Sequence, residues 1–209
     1  MRRTKLSFDE LNSLSRSEYE EYFDEMGIGD DAKEDRVLLA MFLEDEFMRI
    51  LSRIELSITN GVPYFMDSFS LFEEAFVIAA CMRMGITEDM VRQQAQNFAN
   101  DVALSTFRHE DDPYFLSADR AVNMAKTESN AINNYGDLLD AKNSGKTKKT
   151  WNTIIDGRER EWHKDVNRTT IPLDEPFEVN GELMMQPLDD TMGASADNIA
   201  NCRCWLTFS

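Results

Sequence analysis

Apolar residues recur every three or four positions through most of the chain, and this spacing stops near residue 145. Such a repeat places apolar side chains on one face of an α-helix. Beyond residue 145 the apolar segments are short and rich in β-branched and aromatic residues, which is typical of strands. Because helices come first and strands follow, the order predicts an α+β fold instead of an alternating βαβ fold.

Capping and stop residues divide the first region into five predicted helices, near 15–27, 37–61, 71–85, 87–109 and 117–143. Ser15 to Glu18 has the spacing of a capping box, and Gly27 is a typical helix stop. The acidic, proline-containing segment 109–113 separates the last and longest helix from the others. We therefore predict a helical domain over residues 1–113 and a second domain over residues 114–209.

The predicted strands follow the long helix and make a small antiparallel unit. They lie at Trp151–Ile155, Thr169–Leu173, and Cys202–Phe208, with a hairpin over residues 177–184. Asn180-Gly181 supplies the positive φ angles of a type I′ turn at the tip of that hairpin. The predicted fold is thus an N-terminal helical bundle, then a long helix, then a small β-rich unit.

Charge excludes some classes of partner. The net charge is −17, and residues 1–117 hold 11 Lys and Arg against 24 Asp and Glu. Such a surface repels phosphates, so we predict no direct sequence-specific binding of nucleic acid. The most apolar stretch, Ala75–Cys81, is far shorter than the roughly 20 residues of a membrane span, so no membrane partner is predicted.

Three polar residues form one candidate site. Arg160 and His163 lie three positions apart, on one face of a helix if that segment is helical, and Asp156 precedes them. Together they could perform acid–base or phosphate chemistry. Alternatively they form a buried polar network, with Arg160 paired to Asp156 and His163 bonded to the backbone. We favour the network.

Cysteine usage leaves a second alternative open. Cys202 and Cys204 are closely spaced, and with His163 they could supply three ligands to zinc, with a carboxylate or water as the fourth. A zinc ribbon would contain two Cys-x-x-Cys pairs, which this sequence lacks. Cys202 and Cys204 could equally be small core residues. We therefore predict no cofactor, with zinc as the alternative.

Six ordered signals resemble the phage Mu F-like head-morphogenesis, or minor capsid, domain over about residues 117–209. They are a helix with Thr127-Glu128 and Asn130, a strand with Trp151, the Asp156, Arg160 and His163 step, an Asp-Glu-Pro-Phe turn ending in Pro176 and Phe177, the Asn180-Gly181 hairpin before Pro187, and the terminal Asn201-Cys202-Arg203-Cys204. Taken without this resemblance, Glu128 and Asn130 are most simply explained as the solvated face of their helix.

The resemblance implies a structural role in building a phage head. It implies a minor capsid protein of the virion, present in the host cytoplasm during assembly, whose partners are the portal protein, the major capsid protein or both. It could assist DNA packaging or ejection. Trp151 and Phe177 would then be core residues, and the polar motif residues would stabilise the domain without catalysing a reaction. The alternative is a phage-delivered nuclease or transferase that uses Asp156, Arg160 and His163.

Overall fold

The computed structural model describes the backbone of residues 8–209 and the side chains of residues 16–209. The fold is α+β, as predicted. Its elements are α1 (Phe8–Asp24), α2 (Asp30–Thr59), α3 (Phe65–Met82), α4 (Glu88–Arg108), a 3-10 turn (Pro113–Leu116), α5 (Ala118–Asn143), β1 (Lys148–Asn152), α6 (Glu161–Val166), β2 (Thr170–Pro172), β3 (Phe177–Val179), β4 (Glu182–Met184), α7 (Ala196–Ile199) and β5 (Trp205–Phe208).

Helices α1 to α4 enclose an apolar core that is centred on aromatic rings. Phe47 of α2, Phe72 and Phe76 of α3, and Phe98 of α4 lie with ring centroids 5.4–6.1 Å apart in tilted and edge-on pairs. Phe47, Phe72 and Phe76 are fully buried. Tilted and edge-on packing of this kind adds to the free energy of simple area burial.

Helix α5 contributes to both parts of the molecule. Its first half, with Ala121, Val122 and Ala125, packs in the core of the helical bundle. Further along, Ala131 packs in a second core around Trp151 and Phe177. The two predicted domains are therefore joined by a helix that is part of both cores, and the boundary at residue 113 stays a prediction.

The C-terminal strands form two small antiparallel sheets. One has the strand order β2-β1-β5, and Trp151 of β1 lies opposite Leu206 of β5. The other is the β3–β4 hairpin, in which Asn180 and Gly181 have φ angles of 53° and 78°. The predicted hairpin turn is thus confirmed.

Several predicted boundaries were wrong, among them the starts of α2 and α3, which begin at Asp30 and Phe65 instead of near residues 37 and 71. Helix α1 begins at Phe8, so Ser15 lies inside the helix and not at its N-terminus. Strand β1 ends at Asn152 because the Thr153 N–H donates to the side chain of Asn167 and not to a neighbouring strand. Strand β5 begins only at Trp205, after both cysteines of the Cys-Arg-Cys segment. Among the described residues, no helix is both long and apolar enough to cross a bilayer.

Candidate functional site

The Cys-Arg-Cys segment, Cys202 to Cys204, directs its side chains alternately inward and outward. Both cysteine side chains are buried against His163 of α6, with Sγ to Nδ1 distances of 3.7 Å from Cys202 and 3.5 Å from Cys204. The three donor atoms all lie within 4.8 Å of one another. His163 is itself buried. A compact Cys-His-Cys cluster therefore occupies the interior of the C-terminal unit.

Hydrogen bonds determine which nitrogen of His163 faces the thiols. The side-chain amide of Asn198 donates to the Val179 carbonyl and to the Glu182 carboxylate, at 3.1 and 2.6 Å. Its oxygen, which can only accept, then lies 3.3 Å from His163 Nε2. Nε2 must therefore carry the hydrogen. Nδ1 is left with a free lone pair that is directed at Cys202 and Cys204.

The two thiols differ in acidity. Burial raises the pKa of Cys204, whereas the hydrogen bond from the Cys202 thiol lowers it. The hydrogen bond with Cys204, together with burial, raises the pKa of Cys202. A thiolate at Cys204 is thus stabilised by the neighbouring thiol of Cys202, and a second negative charge in the pair is disfavoured unless a cation is present.

Two asparagines of α5 hold the Cys-Arg-Cys backbone in place. Asn130 and Asn134 donate to the Cys204 carbonyl at 3.1 and 3.0 Å, and the Asn130 oxygen accepts from the Nε of Arg36 in α2. Both asparagines are completely buried. Asn130 is therefore a structural connection between two helices and the C-terminal segment, and not part of a solvated helix face. Asn134 was missed, although its position four residues after Asn130 places it on the same face.

Arg203 and Asp156 belong to a surface network of charges. Arg203 donates to Asp156 and to Glu25, at 2.7 and 3.0 Å. Arg158 donates to the same two carboxylates. The bond from Arg203, and then those from Arg158, hold the pKa of Asp156 well below its usual range. Glu25 follows α1, so the network joins the two ends of the chain.

The predicted pairing of Arg160 with Asp156 is therefore wrong. Arg160 donates to the Ala200 carbonyl at 2.6 Å, and His163 bonds the Asn198 side chain instead of backbone. The loop before α6 explains the difference. There Glu159 accepts from the N–H groups of Asp156 and Gly157, which turns the aspartate away from α6. The three residues proposed as one site thus have three separate sets of partners.

The aromatic motif residues lie beside the Cys-His-Cys cluster. Trp151 is fully buried, and its ring is edge-on to His163 at 5.8 Å and to Phe177 at 5.2 Å. Its indole N–H donates to Thr153 Oγ1, which in turn donates to the His163 carbonyl. Pro176 is half-buried before β3. These contacts fix the side of α6 that faces the sheet.

A separate cavity of about 230 Å³, here named the α4–α5 cavity, lies between those helices and the 188–201 loop. Glu128 lines it with only 9% of its surface exposed and makes no hydrogen bond or ion pair with any described residue. Burial, and then the charges of Asp190 and Asp101, raise the pKa of Glu128 to about 8. Burial likewise raises the pKa of Asp190 to about 7. Asn201 also lines this cavity, with a positive φ of 55°.

Arg120 also lines the α4–α5 cavity. Its guanidinium donates to neutral oxygens, namely Thr106 Oγ1, Ser105 Oγ and the Phe115 carbonyl, at 2.6–2.8 Å. The carboxyl groups of the cavity are therefore not neutralised by this arginine. Sequence patterns gave no signal for the cavity, because its walls come from segments distant in the chain.

The fold and these contacts define an α+β protein in which most of the motif residues are held by hydrogen bonds within the chain. The chain belongs to the family of Phage Mu protein F like proteins, whose family model matches residues 77–207. The match includes α4 and α5, the α4–α5 cavity and the Cys-Arg-Cys segment, and so it extends further toward the N-terminus than the resemblance over residues 117–209. No curated protein and no solved structure matches the chain. The family indicates a phage head-morphogenesis protein with a structural role.

Proposed function

We propose that this protein is a minor component of the phage head that docks on the portal vertex or on the inner face of the capsid. The observation that carries the proposal is the family match over residues 77–207. The portal protein, the major capsid protein or both would be its partners, within the virion and, during assembly, in the host cytoplasm.

The arrangement of the motif residues supports a structural role. Asn130 bonds the Cys-Arg-Cys backbone, and Asp156 bonds Arg203 and Arg158. Side chains that satisfy one another in this way stabilise a domain, and they are not free to bind a substrate. Docking would then depend on the outer surface of the helices.

An exposed apolar patch at one end of the bundle is a suitable contact surface. Ile78, Met82 and Met84 are 46%, 54% and 91% exposed, and the first two lie four residues apart on α3. Methionine is flexible and adapts to irregular partner surfaces. We name these three residues the α3-end patch and propose that it contacts the partner.

The acidic helical part suits a position near packaged DNA. Residues 1–117 carry 13 more acidic than basic residues, from 24 against 11. A surface of this sign repels the phosphate backbone and would let DNA pass without adhering. We propose that this property assists packaging or ejection.

The test is co-sedimentation with the portal protein and with procapsids of the same phage. Wild-type protein should sediment with one of them, and the double variant Met82→Gln/Met84→Gln should bind at least about tenfold more weakly. The matched control is Leu56→Gln/Val62→Gln, because those residues are similarly exposed, at 63% and 53%, and lie at the other end of α2 and α3. Wild-type protein that stays free of both particles would overturn the proposal. Equal weakening of binding by both double variants would show that the α3-end patch is not the contact surface.

A further inference from the structure

We propose that Cys202, Cys204 and His163 bind one zinc ion, which joins the C-terminal segment to α6. In a tetrahedral site with Zn–S near 2.3 Å and Zn–N near 2.1 Å, sulfur and nitrogen ligands lie about 3.6 Å apart. The observed Sγ to Nδ1 distances are 3.7 and 3.5 Å. Both sulfur–nitrogen distances therefore match those of a zinc site, and all three donors lie within 4.8 Å of one another.

The imidazole is oriented as a metal ligand would be. The Asn198 amide, itself held by Glu182 and the Val179 carbonyl, fixes the hydrogen of His163 on Nε2. The lone pair of Nδ1 is thereby directed between the two sulfurs. Histidine ligands in proteins commonly have this kind of outer partner, which fixes the tautomer and increases ligand basicity.

Charge balance also favours a divalent cation in this buried position. With zinc bound, both Cys202 and Cys204 would be thiolates, and any proton that either of them carries beforehand passes to solvent. Two thiolates and one zinc ion then sum to zero charge, which avoids the cost of an unpaired buried charge. Arg203 does not disturb this balance, because it faces the opposite side and pairs with Glu25 and Asp156.

The fourth position is open to a small cavity of about 20 Å³ beside the cluster. A single water needs about 10–15 Å³ of such space, so the cavity has room for one. Thr153 Oγ1 lines it and lies 3.3 Å from Cys204 Sγ, but it is already bonded to Trp151 and His163. We therefore assign the fourth position to water.

The first experiment measures the metal itself. The full chain, with any polyhistidine tag removed, is dialysed against excess zinc and then against buffer, and zinc is measured by plasma mass spectrometry. Close to one zinc per chain is expected. Cobalt in place of zinc should give the absorption of a tetrahedral, thiolate-ligated ion. Fewer than about 0.1 zinc per chain, together with no cobalt–thiolate absorption, would show a hydrogen-bonded cluster without metal and overturn the proposal.

Variants then assign the ligands. Cys202→Ser and Cys204→Ser should each weaken zinc binding more than about tenfold. The control is Cys81→Ser, since Cys81 is an exposed cysteine on α3, and it should bind zinc as wild type does. A chelator should lower the unfolding temperature of wild type and of Cys81→Ser, but not that of the ligand variants. Unchanged zinc binding in both ligand variants would contradict the assignment, and the cobalt spectrum of wild type remains a test even if a variant fails to fold.

Discussion

The helical bundle and the C-terminal unit are stabilised in different ways. The bundle core is large and apolar, with the four rings of Phe47, Phe72, Phe76 and Phe98 at its centre. The C-terminal unit has a smaller core, and its last segment is held by buried asparagines, a histidine and a charged surface network. Apolar burial is non-directional, whereas hydrogen bonds require defined geometry. The difference means that the stability of the bundle depends mainly on buried apolar volume, and that of the C-terminal unit on the identity of particular polar side chains.

The largest expected effect comes from a cavity in the bundle. Phe72→Ala removes a fully buried ring that contacts Phe47 and Phe98, and it should lower the free energy of unfolding by about 3–5 kcal/mol. Denaturation should be followed by circular dichroism, which reports the helices, and by tryptophan fluorescence, which reports the C-terminal part, since all three tryptophans lie after residue 150. Because α5 belongs to both cores, the two transitions should coincide. Two separate transitions would show that the regions unfold independently.

A smaller loss is expected from one amide at the junction. Asn130→Ala leaves the Arg36 Nε and the Cys204 carbonyl without this partner, which should cost about 2–3 kcal/mol. Asn123→Ala on the exposed face of the same helix is the matched control and should change the free energy of unfolding by less than about 0.5 kcal/mol. Equal effects of the two substitutions would mean that Asn130 is not the connection described here.

The pH dependence of stability should identify the buried acid of the α4–α5 cavity. The folded-state pKa of Glu128 is raised to about 8, above the value of 4.5 that it has when unfolded. The contribution of Glu128 to the free energy of unfolding is thus complete below pH 4.5 and is lost as the pH rises to 8. It is lost because the folded state retains a proton that the unfolded state releases. The slope is at most about 1.4 kcal/mol per pH unit for one proton.

Glu128→Gln should flatten this decline, without abolishing it, because the pKa of Asp190 is raised to about 7 and acts in the same direction. The measurement is the denaturation midpoint of both proteins at intervals from pH 4.5 to 8.5. Parallel curves for the wild type and the variant would rule out Glu128 as the source.

The smallest effect is expected at the surface network. Glu25→Gln removes one carboxylate that pairs with Arg158 and Arg203, but it is 42% exposed and solvent screens the charge. The loss should stay below about 1 kcal/mol and should decrease as salt is added. A loss as large as that expected for Asn130→Ala would mean that the surface ion pairs of Glu25 contribute as much to stability as the buried hydrogen bonds of Asn130.

Part of the site could be predicted from local sequence. The spacing of Cys202 and Cys204 and the presence of His163 suggested a three-residue cluster, and the structure brings the three together. The expected grouping of Asp156 with Arg160 was wrong, because nearness in sequence does not decide which partner a side chain reaches across a loop. The partner of Asp156 is instead Arg203, which lies within the same sequence motif and was not predicted to pair with it.

The sequence by itself determined the order of helices and strands, the turn at Asn180-Gly181 and membership of the phage Mu F-like family. These features depend on residues close together in the chain, where periodicity and backbone preference act. Only the tertiary structure decided that Arg36 meets Asn130, that Glu25 meets Arg203, and that Glu128 lines a cavity with Asp190. Those contacts join residues far apart in the chain, so no local pattern records them, and they exist only once α5 has packed against both cores.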